Sequence, residues 1–110
     1  MRLVLPLLLL VAAVSIAAPA VVNSFSCPSG VLGLAYAQGS LYAVTGSQVV
    51  YELDPATGAV LSQFSTTQVS SPNGLGYAGS LLYVTNGTSN VYKYTLTGTY
   101  SGATSLYVSG

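Results

Sequence analysis

The sequence has no histidine, no tryptophan, one cysteine and four charged residues among 110: Arg2, Glu52, Asp54 and Lys93. Each shortage excludes something. With no imidazole and a single thiol, the chain cannot assemble the usual zinc, haem or iron–sulfur ligand sets, and no cofactor is expected. A Ser–His–Asp or Cys–His arrangement is equally out of reach, so the chain is not expected to be an enzyme. One arginine and one lysine cannot neutralise a nucleic-acid backbone, and no nucleic-acid partner is expected. A formal net charge of zero built from so few charges provides no steering field of either sign. What is plentiful is apolar and aromatic: 51% of residues are hydrophobic, nine are Tyr and twelve are Gly. That composition argues against disorder, which needs few apolar residues and many charges.

The first twenty residues read as a targeting segment. Arg2 supplies a minimal positive start, and residues 3–18 are interrupted only by Pro6 and Ser15. Ala18-Pro19-Ala20 offers small residues at the two positions a signal peptidase reads, so a signal-peptide helix over 1–20 with cleavage after Ala20 is expected. The competing reading is an uncleaved anchor, since residues 3–22 carry no charge and could cross about 30 Å of hydrocarbon. Membrane contact is expected only through that segment. Both readings make the protein secreted or cell-surface. Cys27 then enters an oxidising compartment as a lone thiol, available for an intermolecular disulfide; the simpler reading is a small, partly buried lead-in residue. Asn86-Gly87-Thr88 is an N-glycosylation sequon, open to modification at Asn86 if the producing cell glycosylates.

The remainder is two copies of one unit. Residues 33–53 laid on 74–94, an offset of 41 without a gap, match at nine of 21 positions, including Gly33/Gly74, Tyr36/Tyr77, Tyr42/Tyr83 and Tyr51/Tyr92. A period of that size falls in the ~40–50-residue range of stacked β-sheet repeats. Within each copy, short runs rich in Tyr, Val and Thr alternate with Gly-bearing turns, and no 3.6-residue period is sustained, so an all-β fold is expected. Four strands are expected per copy: 31–37, 41–45, 49–53 and 59–65, then 74–78, 81–86, 90–96 and one within 99–108. Asp54-Pro55-Ala56-Thr57-Gly58 is a strong turn between the third and fourth. The domain division is a signal peptide (1–20), a lead-in (21–30), a first unit (31–70) and a second (71–110).

Leu82-Tyr83-Val84-Thr85-Asn86, followed by Ser89-Asn90-Val91-Tyr92, resembles the YVTN repeats of secreted and surface-layer β-propellers, relatives of the NHL and quinoprotein-type repeats. The first copy departs from that signature at Tyr42-Ala43-Val44-Thr45-Gly46. The resemblance spans about residues 31–100 and implies that each unit is a four-stranded antiparallel propeller blade. Propellers close with about 4–8 blades, and stacked repeats generally need roughly three copies for stability. Three resolutions stand at this level: copies of the chain completing a ring, further blades of a longer chain, or the two sheets packed as a small sandwich. Self-association or added blades are therefore the expected partners. Catalytic propellers place His together with acidic residues at the ring mouth, and this chain has no His to place there.

Few residues invite a chemical reading. Glu52 and Asp54, at i and i+2, would share one face of a strand as a carboxylate pair or the corner of a calcium site. Calcium takes about 6–8 oxygens and no third acid exists, so a strand end running into a turn is the simpler reading, and no metal site is expected. Lys93 occupies the position of Glu52 in the second copy and could pair with it between adjacent units. Tyr36, Tyr77, Tyr42, Tyr83, Tyr51 and Tyr92 recur at equivalent positions, as packing between units with hydroxyls at the rim or as a recognition face for sugar or another surface. The expected function is non-catalytic binding or scaffolding outside the cell. The alternatives are a structural subunit of an extracellular assembly, or a lectin-like ring of two-unit chains that binds carbohydrate.

Overall fold

The structure, a computed structural model, describes residues 24–105. The expected signal-peptide helix lies outside the described residues, as do 21–23 of the lead-in and the last five residues of the second unit. The described chain is all-β, with no helix, and forms two four-stranded antiparallel sheets. The first contains β1 (Val31–Ala37), β2 (Ser40–Thr45), β3 (Val49–Leu53) and β4 (Val60–Ser65). The second contains β5 (Gly74–Ala78), β6 (Leu81–Thr85), β7 (Asn90–Thr95) and β8 (Tyr100–Ser105). Strands pair in sequence order in both, so every connection within a sheet is a hairpin.

The turns explain the order. Gln38-Gly39 and Gly79-Ser80 both have positive φ at two successive residues (47° and 86°, 57° and 70°). That is the primed two-residue turn whose twist matches the flanking strands, and it closes the first hairpin of each sheet. After β3, the Asp54 carboxylate accepts the Ala56 N–H at 2.8 Å, and Asp54 N donates to Ala59 O at 2.9 Å. Counted between the last paired residues, Leu53 with Val60 and Tyr94 with Tyr100, the turn after β7 is one residue shorter; there Thr95 Oγ1 accepts the Thr99 N–H at 3.0 Å.

The register repeats with the sequence. Tyr42 lies opposite Glu52 as Tyr83 lies opposite Lys93, and Leu34 lies opposite Ala43 as Leu75 lies opposite Val84. Both sheets shift register at the same place, between Glu52 and Leu53 and between Lys93 and Tyr94. A residue and its counterpart 41 positions later therefore point to the same side of their own sheets.

Each sheet thus has two unlike faces. The front of the first carries Ala35, Ala37, Tyr42, Val44, Val50 and Phe64, and it packs on the back of the second, which carries Leu75, Tyr77, Leu82, Val84, Tyr92 and Tyr94. Tyr42, Val44, Val50, Leu82, Val84 and Tyr94 are buried there, and the Phe64 and Tyr94 rings sit 5.7 Å apart. The sheets approach most closely along β1 and β5. A Cβ at Gly33 would stand only 3.0 Å from Gly74 Cα and Leu75 N, so glycine sets that approach. Residues 66–73 cross from β4 to β5 and are tied down along the way. Gln48 Nε2 donates to Val69 O (2.8 Å), Tyr94 Oη donates to Gln68 Oε1 (2.7 Å), and Val69 is buried in the core.

Candidate functional site

Two places combine geometry with chemistry: a polar node at the seam between the sheets, and a depression on the face that the second sheet turns away from the first. The node is centred on Glu52 in β3. Ser40 Oγ donates to one carboxylate oxygen at 2.7 Å and Ser62 Oγ to the other at 2.8 Å. Ser62 stands opposite Glu52 because β4 bulges at Leu61: Leu53 pairs with Val60, yet Glu52 pairs with Ser62. Ser40 first, then Ser62, hold the carboxyl below the ordinary glutamate range, against the smaller opposing effect of partial burial. Burial pushes the Tyr42 hydroxyl above its ordinary value, and the Glu52 charge adds to that. Each carboxylate oxygen thus accepts one serine hydroxyl, which favours the ionised form.

Neither of the pairings considered for Glu52, with Asp54 or with Lys93 between the two sheets, is formed, and Asp54 instead takes the simpler reading of a strand end entering a turn. Asp54 lies beyond the end of β3 and its carboxylate caps the Ala56 N–H, so the two acids do not make a pair on one strand face. Lys93 does occupy the equivalent position, and equivalence is what separates them. Glu52 faces the second sheet, whereas Lys93 faces away from the first, beside Tyr83.

The depression has a volume of about 470 Å³ and is lined by Leu75, Gly76, Tyr83, Thr85, Val91 and Thr104. Gly76, Tyr83, Thr85, Val91 and Thr104 belong to the front of the second sheet, and Leu75 to its back. A Cβ on Gly76 would meet nothing within 4 Å. The wall is almost wholly apolar, with only the hydroxyls of Tyr83, Thr85 and Thr104 to orient a ligand. Among the described residues no group of three or more His, Cys, Asp or Glu is arranged to hold a metal.

The six recurring tyrosines divide evenly. Tyr42, Tyr77 and Tyr92 lie in the seam, where Tyr42 is buried and the other two pack against the core cluster. Tyr77 Oη accepts Gln38 Nε2 at 3.2 Å, with its hydroxyl at the rim. Their partners Tyr36, Tyr51 and Tyr83 lie on outward faces; Tyr36 is 64% exposed and Tyr83 lines the depression. Cys27 is a free, exposed thiol on the lead-in, not the partly buried residue of the simpler reading. Asn86 Nδ2, the atom a glycan would take, donates to Ser70 O at 3.2 Å, while Thr88 Oγ1 donates to Asn86 Oδ1 at 2.7 Å.

The serine cradle of Glu52 and the depression were both missed by sequence reasoning. The cradle joins residues 12 and 10 positions apart through hairpin register. The depression had one readable signal, the substitution of Gly76, Thr85 and Thr104 for larger or more apolar residues of the first unit.

No family model matches the sequence, and no curated protein matches it. Among solved structures, the chain is similar to the crystal structure of the computationally designed Ika4 protein, with a TM-score of 0.54 and 18% identity, over 69% of this chain and 49% of that one. The chain spans about half the length of that designed protein, and at this identity the likeness concerns the fold alone.

Proposed function

We propose that this chain is a secreted or cell-surface repeat protein of the β-propeller type, with a non-catalytic binding or scaffolding role. The observation that carries the reading is the repeated register of the two sheets, stacked front to back, together with the YVTN-like run of residues 82–86 on β6. Two four-stranded meanders related in this way are what adjacent blades of a propeller require. The non-catalytic role is supported by the absence of histidine in the sequence and by the state of its two acids, one hydrogen-bonded by two serines and one capping a turn. The extracellular setting rests on the apolar start of the chain and its Ala18-Pro19-Ala20 ending.

The single exposed thiol supplies the test. Intact cells producing the full chain are treated with a mild reductant and then with a membrane-impermeant maleimide. Cys27 labels on intact cells, or in the medium, if the protein is exported. Labelling that appears only after lysis would overturn the proposal.

A further inference from the structure

The depression on the second sheet is the counterpart of a surface that is already occupied in the first. Gly76, Tyr83 and Val91 stand where Ala35, Tyr42 and Val50 stand in the first unit, 41 residues earlier. Thr85 likewise corresponds to Val44, and Thr104, opposite Val91, to Phe64, opposite Val50. In the first sheet those residues form the floor on which Leu82, Val84 and Tyr94 pack. Among the described residues no third sheet packs on their counterparts in the second sheet, where Val91 is buried, Gly76, Tyr83 and Thr85 are half-buried and Thr104 is exposed; the smaller Gly76 and Thr104 widen the space to about 470 Å³.

The complementary surface is on the same chain. The back of the first sheet presents Leu34, Tyr36 and Leu41, counterparts of the Leu75, Tyr77 and Leu82 that fill the internal seam. Leu34 is 56% and Tyr36 64% exposed. On the same face Ala43 of β2 and Leu53 of β3 are already buried and Leu41 is half-buried, so the open part of the back is β1, with the Leu41 end of β2 beside it. The described pair of sheets therefore has one filled seam and, on its two outer faces, the counterparts of the two halves of a second.

We infer that the front of the second sheet is the docking surface for the back of the first sheet of a second copy of this chain. The contact repeats the internal seam, with Leu34, Tyr36 and Leu41 of one copy entering the depression around Gly76 of the next. Because front meets back, the interface is heterologous: each copy uses one surface to give and another to receive, and copies join head to tail into a ring or an open chain. The inference rests on the proposed reading only through the equivalence of the two sheets, and not on where the protein resides.

Sedimentation of the full chain under reducing conditions, which removes any Cys27 disulfide, tests it. The wild-type chain forms multimers at micromolar concentration. Gly76→Glu places a carboxylate in the depression, where the side chain has room in the isolated chain; Tyr36→Glu places one on the exposed back. Each weakens self-association by about 100-fold or more, since docking would bury an unpaired charge. Each variant retains one intact surface, so an equimolar mixture of the two forms a one-to-one dimer. Far-ultraviolet circular dichroism verifies each fold, and Thr104→Glu, on an exposed position of β8, replaces Gly76→Glu if that variant does not fold. A monomeric wild-type chain, a single variant that still self-associates, or a mixture that stays monomeric would each overturn the inference. Those results leave Cys27 labelling on intact cells untouched, so the two proposals fail separately.

Discussion

Glu52 is one of three charged residues in the described chain, and the fold gives it both partners it needs as an anion. Its carboxyl is acidified by folding, mainly by Ser40. A group depressed in this way contributes stability while the unfolded chain would also be ionised, above the ordinary glutamate value. That contribution is lost as pH falls through the depressed folded value. Ser40→Ala should therefore cost about 1 kcal/mol near neutral pH, the net worth of a hydrogen bond to a partly exposed charge. The gap between wild type and variant should close on acidification. Thermal melts of both proteins from about pH 7 to about pH 3 measure it. A gap independent of pH would show that the serine supports packing and not the ionised carboxylate.

At the scale of the element, glycine placement decides how the sheets meet. Gly33 of β1 and Gly76 of β5 both sit inside strands, where glycine ordinarily weakens the structure by about 0.5–1 kcal/mol relative to alanine. Their surroundings differ. A Cβ on Gly33 would press on the backbone of Gly74 and Leu75 at 3.0 Å, and backbone cannot swing aside. Gly33→Ala should destabilise by about 1–3 kcal/mol, the cost of overpacking, whereas Gly76→Ala, facing open space, should be neutral or stabilise by up to about 1 kcal/mol. Urea melts of the two variants compare them directly; equal effects would mean that the sheets do not touch along β1 and β5.

The same residues show what the sequence could and could not reveal. Strand positions were legible because Gly- and Asp-bearing turns punctuate runs of Tyr, Val and Thr, and the expected and observed strands agree to within a residue or two, apart from the last, whose place was open. The facing of those strands was not legible. In β1 the alternation is not apolar against polar but large against small: Leu32, Leu34 and Tyr36 point outward and Gly33, Ala35 and Ala37 point into the seam. A hydrophobic pattern read alone would bury the large set. The Glu52 cradle was hidden for a different reason, because a single bulged residue, Leu61, decides whether serine or leucine stands opposite the carboxylate.

For the whole molecule, the scarcity of charge governs how copies would join. The seam that would be repeated is built from leucine, valine, alanine and tyrosine, and Lys93 is the one charge on the front of the second sheet. Association by such surfaces is driven by burial of apolar area, which weakens on cooling, whereas screening acts only on charge pairs. Self-association of the full chain should thus fall several-fold between about 30 °C and about 5 °C and change less than about twofold between roughly 50 and 500 mM sodium chloride. Sulfate, which is excluded from protein surfaces, should strengthen it. Concentration-dependent light scattering under these conditions reads all three responses. A steep weakening with sodium chloride would mean that ion pairs hold the copies together, and a docking surface with a single lysine could not supply them.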